Sequence, residues 1–207
     1  MQLTKTRLDR DQRRELILDV AQDVFLEEGF ANASMSTIAA RLGGSKGTLY
    51  NYFKSKDDLF NAYVERRCLW QQDEVFALKP GETPARALQR IARSFLAHVI
   101  NETTLRNFRL IISEAERAPE IGRTFYEAGP KRGGERLAEF LASLEAAGIL
   151  DLEGDPLGAA QHFLGLVQSP TFKGRLCNAI PELTGRQIDD EVARGVRAFL
   201  RAYGTQG

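Results

Sequence analysis

The 207-residue chain has few of the residues on which most site chemistry depends. Its two cysteines, Cys68 and Cys177, form neither a disulfide framework nor a metal-ligand spacing. They are expected to be reduced thiols, with a redox-sensing pair as the alternative. Only two histidines are present, His98 and His162, each inside an apolar helical stretch with no second histidine at ligand spacing. A core or pocket role is expected for them, and no metal. There is no apolar run of the roughly 18 residues that a membrane span needs. The opening MQLTKTRLDRDQRR has no apolar segment either, so neither a secretory signal nor membrane attachment is expected, and the location expected is cytoplasmic. No charge of one sign dominates: 28 basic residues balance 28 acidic ones. That excludes a general nucleic-acid coat.

The charge is unevenly placed. Lys5, Arg7, Arg10, Arg13 and Arg14 crowd the N-terminus, and Arg41, Lys46, Lys54 and Lys56 follow. Much of the acid lies later, for example Glu135, Glu139, Glu145, Asp189, Asp190 and Glu191. A basic end on a neutral chain suits a module that touches phosphates at one face.

Strand-like alternation is missing and helical periodicity runs throughout, so the fold expected is all-α, with about nine to ten helices. Apolar Leu16, Ile17, Val20, Ala21, Val24 and Phe25 mark a first helix from about Arg10 to Glu28, ended by Gly29. Ser34, Ser45 and Ser55 read as N-caps of three further helices, the last a long one from Lys56 to about Phe76. Lys79-Pro80-Gly81 breaks the pattern and sets the domain boundary. The resulting divisions are 1–55, a connecting helix over 56–78, and 79–207. Thr83-Pro84, Pro119 and Asp155-Pro156 each open a helix, Gly129-Pro130 reads as a turn, and the last helix spans about Thr184 to Tyr203.

Within 34–56 the sequence reads SMSTIAARLGGSKGTLYNYFKSK: two short capped helices joined by a glycine turn. That is a helix-turn-helix, over about 34–53, whose second helix lies in the major groove of DNA. At about 100° per residue, Leu49, Tyr52 and Phe53 turn toward Ile38, Ala39 and Leu42. Lys46, Gly47, Tyr50 and Asn51 turn outward, offering a cation, bare backbone, an aromatic and an amide to groove edges. The helix start at Ser45 offers N–H groups to a phosphate. The plain alternative is an αα-hairpin in a bundle.

SKGTLYNYFKSKDDLF resembles the recognition helix and following helix start of the TetR family of bacterial regulators, and the likeness extends back through MSTIAARLG and AQDVFLEEGF. The resemblance implies an N-terminal three-helix DNA-binding domain, a C-terminal helical domain for ligand binding and dimerisation, a near-palindromic operator as partner, and neither catalysis nor a cofactor. Carried over by position, Lys46, Gly47, Tyr50 and Asn51 face bases, while Ser34, Ser36, Ser45, Thr48, Tyr52, Ser55 and Lys56 hold phosphates. Gly44 and Thr37 depart from the family pattern, which has an apolar residue and an acidic one there. The stretches RLIISEAERAPEIGRTFYEAGPKRGGERLAEFLASL and GILDLEGDPLGAAQHFLGLVQSP resemble the C-terminal domain of the AefR-like subgroup. That likeness implies lipophilic inducers and control of efflux or stress genes.

Two further expectations concern the C-terminal domain. The stripes Leu157, Ala160, Phe163, Leu164, Val167 and Ile188, Val192, Val196, Phe199, Leu200 are candidates for a homodimer interface. Trp70, Phe95, His98, Phe108, Phe125 and Tyr126 are candidates for the site of a small-molecule inducer, with Arg109 or Glu114 at its rim. Two other functions were weighed. A phosphate loop at GGSKGT fails because the order is Lys46-Gly47, and an enzyme lacks a carboxylate pair, Glu114 and Glu116 being two residues apart. A ligand-binding protein that has lost DNA binding conflicts with the intact Lys46, Gly47, Tyr50 and Lys56 set.

Overall fold

The computed structural model describes residues 9–67, 75–169 and 171–205. Trp70, Cys68, Lys5, Arg7 and residues 68–74 of the long helix expected from Lys56 to Phe76 lie outside the described residues; helix geometry is described as far as Arg67, and Val75 and Phe76 are not α-helical. Within them the chain is all-α, as its periodicity predicts, and the one β-type pairing is an isolated bridge between Leu150 and Gly204.

The helices begin where the sequence supplies a cap. Helix α1 (Arg10–Asn32) starts with Asp9 and Gln12 bonded reciprocally, side chain to backbone in both directions. Its backbone leaves helical geometry at Gly29, where φ is +75°, so the break lies where it was expected and one extra turn follows. Helices α2 (Met35–Arg41) and α3 (Lys46–Tyr50) are capped by Ser34 and Ser45. Helix α4 (Lys56–Arg67) is capped by Ser55, whose Oγ accepts from Asp58 N–H at 3.0 Å. Then come α5 (Pro84–Val99), capped by Thr83, and α6 (Glu102–Ala115). Helices α7 (Pro119–Tyr126) and α8 (Arg132–Ala146) precede α9 (Pro156–Gln168), α10 (Thr171–Leu176) and α11 (Gly185–Tyr203).

One break does not occur. Gly129-Pro130 was expected to be a turn, but residues Glu127–Lys131 form a π-helical segment running straight into α8. Proline has no N–H to give to the α-helical ladder, and a wider turn accommodates that loss without ending the helix.

By packing, residues 9–67 group with 110–125, and 75–109 group with 126–205. The first group is built on Phe25, Phe30, Phe60 and Tyr63. Phe60 meets Phe25 at 4.9 Å and Phe30 at 4.7 Å between ring centroids, both edge-on. Leu18, with no exposure, belongs to this core, whereas Leu16 of the expected stripe is 37% exposed. The salt bridges Arg66–Glu15 and Arg66–Asp19 tie α4 to α1, and Arg41–Glu27 ties α2 to it.

In the second group α5, α8, α9 and α11 enclose a core that includes Leu88, Ile91, Leu96, Leu141, Phe163 and Phe199. Ala160, Phe163, Val167, Val192, Val196 and Phe199 are all buried here, so the two stripes expected to form a dimer interface mostly face each other inside the chain. The approach is close: a methyl added at Gly195 would lie 3.0 Å from Val167 Cα. Of its large apolar side chains, α9 leaves Leu157 and Leu166 exposed.

An ion pair fixes the segment ahead of α5. Arg90 donates to both carboxylate oxygens of Glu82, at 2.9 and 2.8 Å, and to the carbonyls of Val75 and Ala77. Those hydrogen bonds from Arg90 are the main reason the Glu82 carboxyl is held down at about 2; partial burial opposes the shift and the Lys79 N–H adds to it. A depressed carboxyl pKa stabilises the fold above its unfolded value near 4.5, and that stability is lost as pH falls toward about 2. Glu82→Gln is therefore expected to flatten the decline of unfolding midpoint between about pH 5 and pH 2. Identical pH profiles for the variant and the parent chain would contradict the pairing.

Candidate nucleic-acid interface

The helix-turn-helix is held together from within and open on one side. In α2, Ser34 Oγ accepts from Thr37 N–H at 3.0 Å and shares a 2.9 Å hydrogen bond with the Thr37 hydroxyl. In α3, Ser45 Oγ does the same with Thr48, at 3.1 and 2.9 Å. Thr37 thus holds its cap through a hydroxyl where an acidic residue would use a carboxylate. Below α3, Leu49 is 1% exposed and Phe53 2%, resting near Ile38 and Ala39, which are buried. Tyr52 and Leu42 are half-buried.

The outward side carries the residues expected there. Lys46, Gly47, Tyr50 and Asn51 are exposed, and so are Ser36 and Ser45. Tyr50, at 46%, is among the most exposed large side chains of the described residues. Gly47 points the same way: a Cβ added there would meet only Ser45 Oγ, at 3.8 Å. Nothing inside the protein requires glycine at this position.

Three cationic side chains stand around this surface. The Lys56 ammonium, expected to hold a phosphate, donates to the carbonyls of Phe30, at 2.6 Å, and Ala31, at 3.3 Å, and lies 4.3 Å from the centroid of the Phe30 ring. Carbonyls left over at the end of α1 need a donor, and Lys56 satisfies them from 26 residues away. Arg41, counted among the basic residues, is paired with Glu27 and Glu28. Arg13, in contrast, reaches the turn: its terminal nitrogen lies 3.4 Å from where a Cβ on Gly44 would be. The absent side chain at Gly44 leaves that room, a link that no local motif could reveal.

The residues expected to line an inducer site have separate fates. Phe95 is 7% exposed and belongs to the core around α5. Phe108 is half-buried and edge-on to Phe172 at 5.0 Å. His98 and Phe125 are half-buried, Trp70 lies outside the described residues, and Tyr126 is 56% exposed beside the π-helical segment. Tyr126 thus brings no hydroxyl to a closed interior. Arg109 is not open at a rim either. It donates to the carbonyls of Leu176 and Arg175 and to Asn178 Oδ1, and pairs with Glu102, fastening the end of α10 to α6. His162 is exposed and its Nδ1 lies 2.5 Å from the Tyr203 hydroxyl. Among the described residues no group of three His, Cys, Asp or Glu side chains could hold a metal ion, and no helix is long and apolar enough to cross a membrane.

Known proteins resemble the chain over most of its length. The family model for bacterial regulatory proteins of the tetR family matches residues 17–63, and that for the C-terminal domain of AefR-like transcriptional repressors matches 86–205. A TetR-family regulator from Mesorhizobium loti superposes with a TM-score of 0.84 at 28% identity, over 96% of this chain and 100% of the other. The flavonoid-responsive regulator FrrA superposes at 0.82 with 35% identity, over 95% and 100%. SmeT, the repressor of the Stenotrophomonas maltophilia multidrug efflux pump SmeDEF, superposes at 0.64 with 25% identity, over 94% and 91%. By sequence, the transcriptional activator FasR of Mycolicibacterium smegmatis is 45% identical over 60 residues, 29% of this chain and 27% of FasR. Regulators from Staphylococcus aureus are 43% identical over the same length, 32% of their own. These sequence matches therefore span less than a third of each curated relative.

Proposed function

The chain belongs to the TetR family of bacterial regulatory proteins, and as a DNA-binding transcriptional regulator of that kind we propose that it is a homodimeric cytoplasmic repressor, released from a near-palindromic operator by a small lipophilic inducer. The observation that carries this reading is the exposed set Lys46, Gly47, Tyr50 and Asn51 on a short helix clamped by Ser45 above and Leu49 below. Lys46, Tyr50 and Asn51 read base edges, and Gly47 lets the backbone come close. Ser34, Ser36, Ser45, Thr48, Tyr52, Ser55 and Lys56 set the register on phosphates, with Arg13 beside them at the turn.

Family members are usually dimers, and one module of this size gains useful affinity by binding two half-sites. The interface we propose uses the outward side of α9, with Leu157 and Leu166 at 43% and 40% exposure, rather than the buried stripes. An apolar inducer is supported by the family's C-terminal domain and by the flavonoid response named for FrrA; an efflux or stress gene as target is supported by the pump repressor SmeT. The inducer acts only by as much as it prefers one state of the dimer over the other.

Sedimentation at micromolar concentration is expected to give twice the mass of one chain, and a screen of lipophilic compounds is expected to find some that bind and lower operator affinity over the same concentration range. A monomer under those conditions would contradict the dimer. Compounds that bind and leave operator affinity unchanged would contradict induction.

A further inference from the structure

The turn between α2 and α3 holds two glycines that differ in kind. Gly43 has a φ of +62°, where any side chain would be strained. Gly44 lies outside the left-handed region and is exposed, so neither its backbone nor the core beneath it calls for glycine. Chain neighbours aside, one atom stands within 4 Å of where its Cβ would lie: the terminal nitrogen of Arg13, at 3.4 Å. The Arg13 side chain thus leaves α1 and comes to rest over the residue that precedes the Ser45 cap of α3. Other arginines of this group are engaged within the chain. Arg14 lies 5.3 Å from the centroid of the Phe53 ring and 3.7 Å from a Glu15 carboxylate oxygen, and Arg41 and Arg66 are held by acidic residues. Arg13 has no hydrogen bond or ion pair with any described residue. Its guanidinium keeps five N–H donors for solvent or for a partner.

We propose that Arg13 holds a phosphate of the operator backbone, and that the missing side chain at Gly44 is what admits it to that position. This rests on the reading of α3 as the helix that enters the groove. At the passage from α2 to α3 the guanidinium stands ahead of Lys46, Tyr50 and Asn51, the residues that face bases. A phosphate is the group it fits, because its planar fork donates two parallel hydrogen bonds to phosphate oxygens. Such a contact fixes register and adds affinity without adding sequence preference.

The test is a salt titration of operator binding by full-length chains, on a fragment that the parent chain selects from a random library. Arg13→Ala is expected to flatten the slope of log affinity against log salt by about 0.9 per protomer, or about 1.8 for a dimer. Its deficit against the parent should then shrink by roughly tenfold between about 50 and 200 mM salt, with the ranking of operator variants unchanged. Arg13→Lys keeps the charge and should keep most of the slope. Gly44→Val puts a branched side chain where the guanidinium lies, at a backbone position open to it, and should reproduce the slope of Arg13→Ala. In the double variant the valine should cost nothing further. Unfolding midpoints equal to the parent's in Arg13→Ala and Arg13→Lys show that the fold is untouched. A parental slope in Arg13→Ala overturns the proposal and leaves DNA reading by α3 in place. So does Gly44→Val at parental affinity and slope, or an Arg13→Ala that re-ranks the operator variants, the mark of a base contact. A folded parent chain that selects no DNA overturns this contact and the reading of α3 together.

Discussion

Lys46→Ala and Tyr50→Ala are each expected to weaken specific operator binding by about 1–3 kcal/mol, from several-fold to more than a hundredfold, and to relax the sequence preference. Both side chains stand on the outer face of α3 and neither contributes to the core beneath it, where Leu49 and Phe53 are buried. Thermal unfolding should therefore be unchanged in both. Gly47→Ala sharpens the test. Alanine favours a helix over glycine by about 1 kcal/mol, and the added methyl has room within the chain, so the variant should be no less stable. Any loss of operator affinity then comes from the approaching DNA. Gel shifts against a selected operator, repeated at several salt concentrations, separate the lost base contacts from loss of phosphate contacts, which alone changes the salt slope. Wild-type affinity in both Lys46→Ala and Tyr50→Ala would mean that α3 is not the reading helix.

The second large effect lies in the core behind that helix. Phe60 is fully buried and packs edge-on against both Phe25 and Phe30, so it joins α4 to both parts of α1. Phe60→Ala is expected to cost about 3–5 kcal/mol, from the lost transfer of the ring and the cavity it leaves. That is a large share of the stability of an ordinary domain. Lys56 is positioned by the same cluster, lying over Phe30 while it closes the end of α1, so its clamp should loosen with the core. Denaturant unfolding monitored by far-ultraviolet circular dichroism gives the number. A loss below about 1 kcal/mol would show that the cluster relaxes around the vacancy, contrary to its packing.

The local grammar of the chain was legible from sequence. Ser34, Ser45, Ser55 and Thr83 cap the helices they were read to cap, Asp155-Pro156 opens α9 as read, and Gly29 breaks α1. These signals act over three or four residues, so sequence alone carries them. The inward and outward faces of α3 were legible for the same reason, since a fixed turn per residue decides them. What escaped depends on distant residues. The Lys56 ammonium could be read as a cation for DNA because its partners, the carbonyls of Phe30 and Ala31, are 26 and 25 positions away. Periodicity identified the apolar stripes of α9 and α11 but could not say what covers them, and they cover one another. Gly129-Pro130 carries every mark of a turn, yet a π-helical segment absorbs the missing donor and the helix goes on.

The central claim, a dimeric reader of paired DNA half-sites, is tested most directly by selecting fragments from a random DNA library with the purified full-length chain and footprinting the winners. The account predicts one near-palindromic element, protected at two half-sites about 34 Å apart or a multiple of that spacing. Retention of no sequence above background by folded, dimeric protein would contradict it.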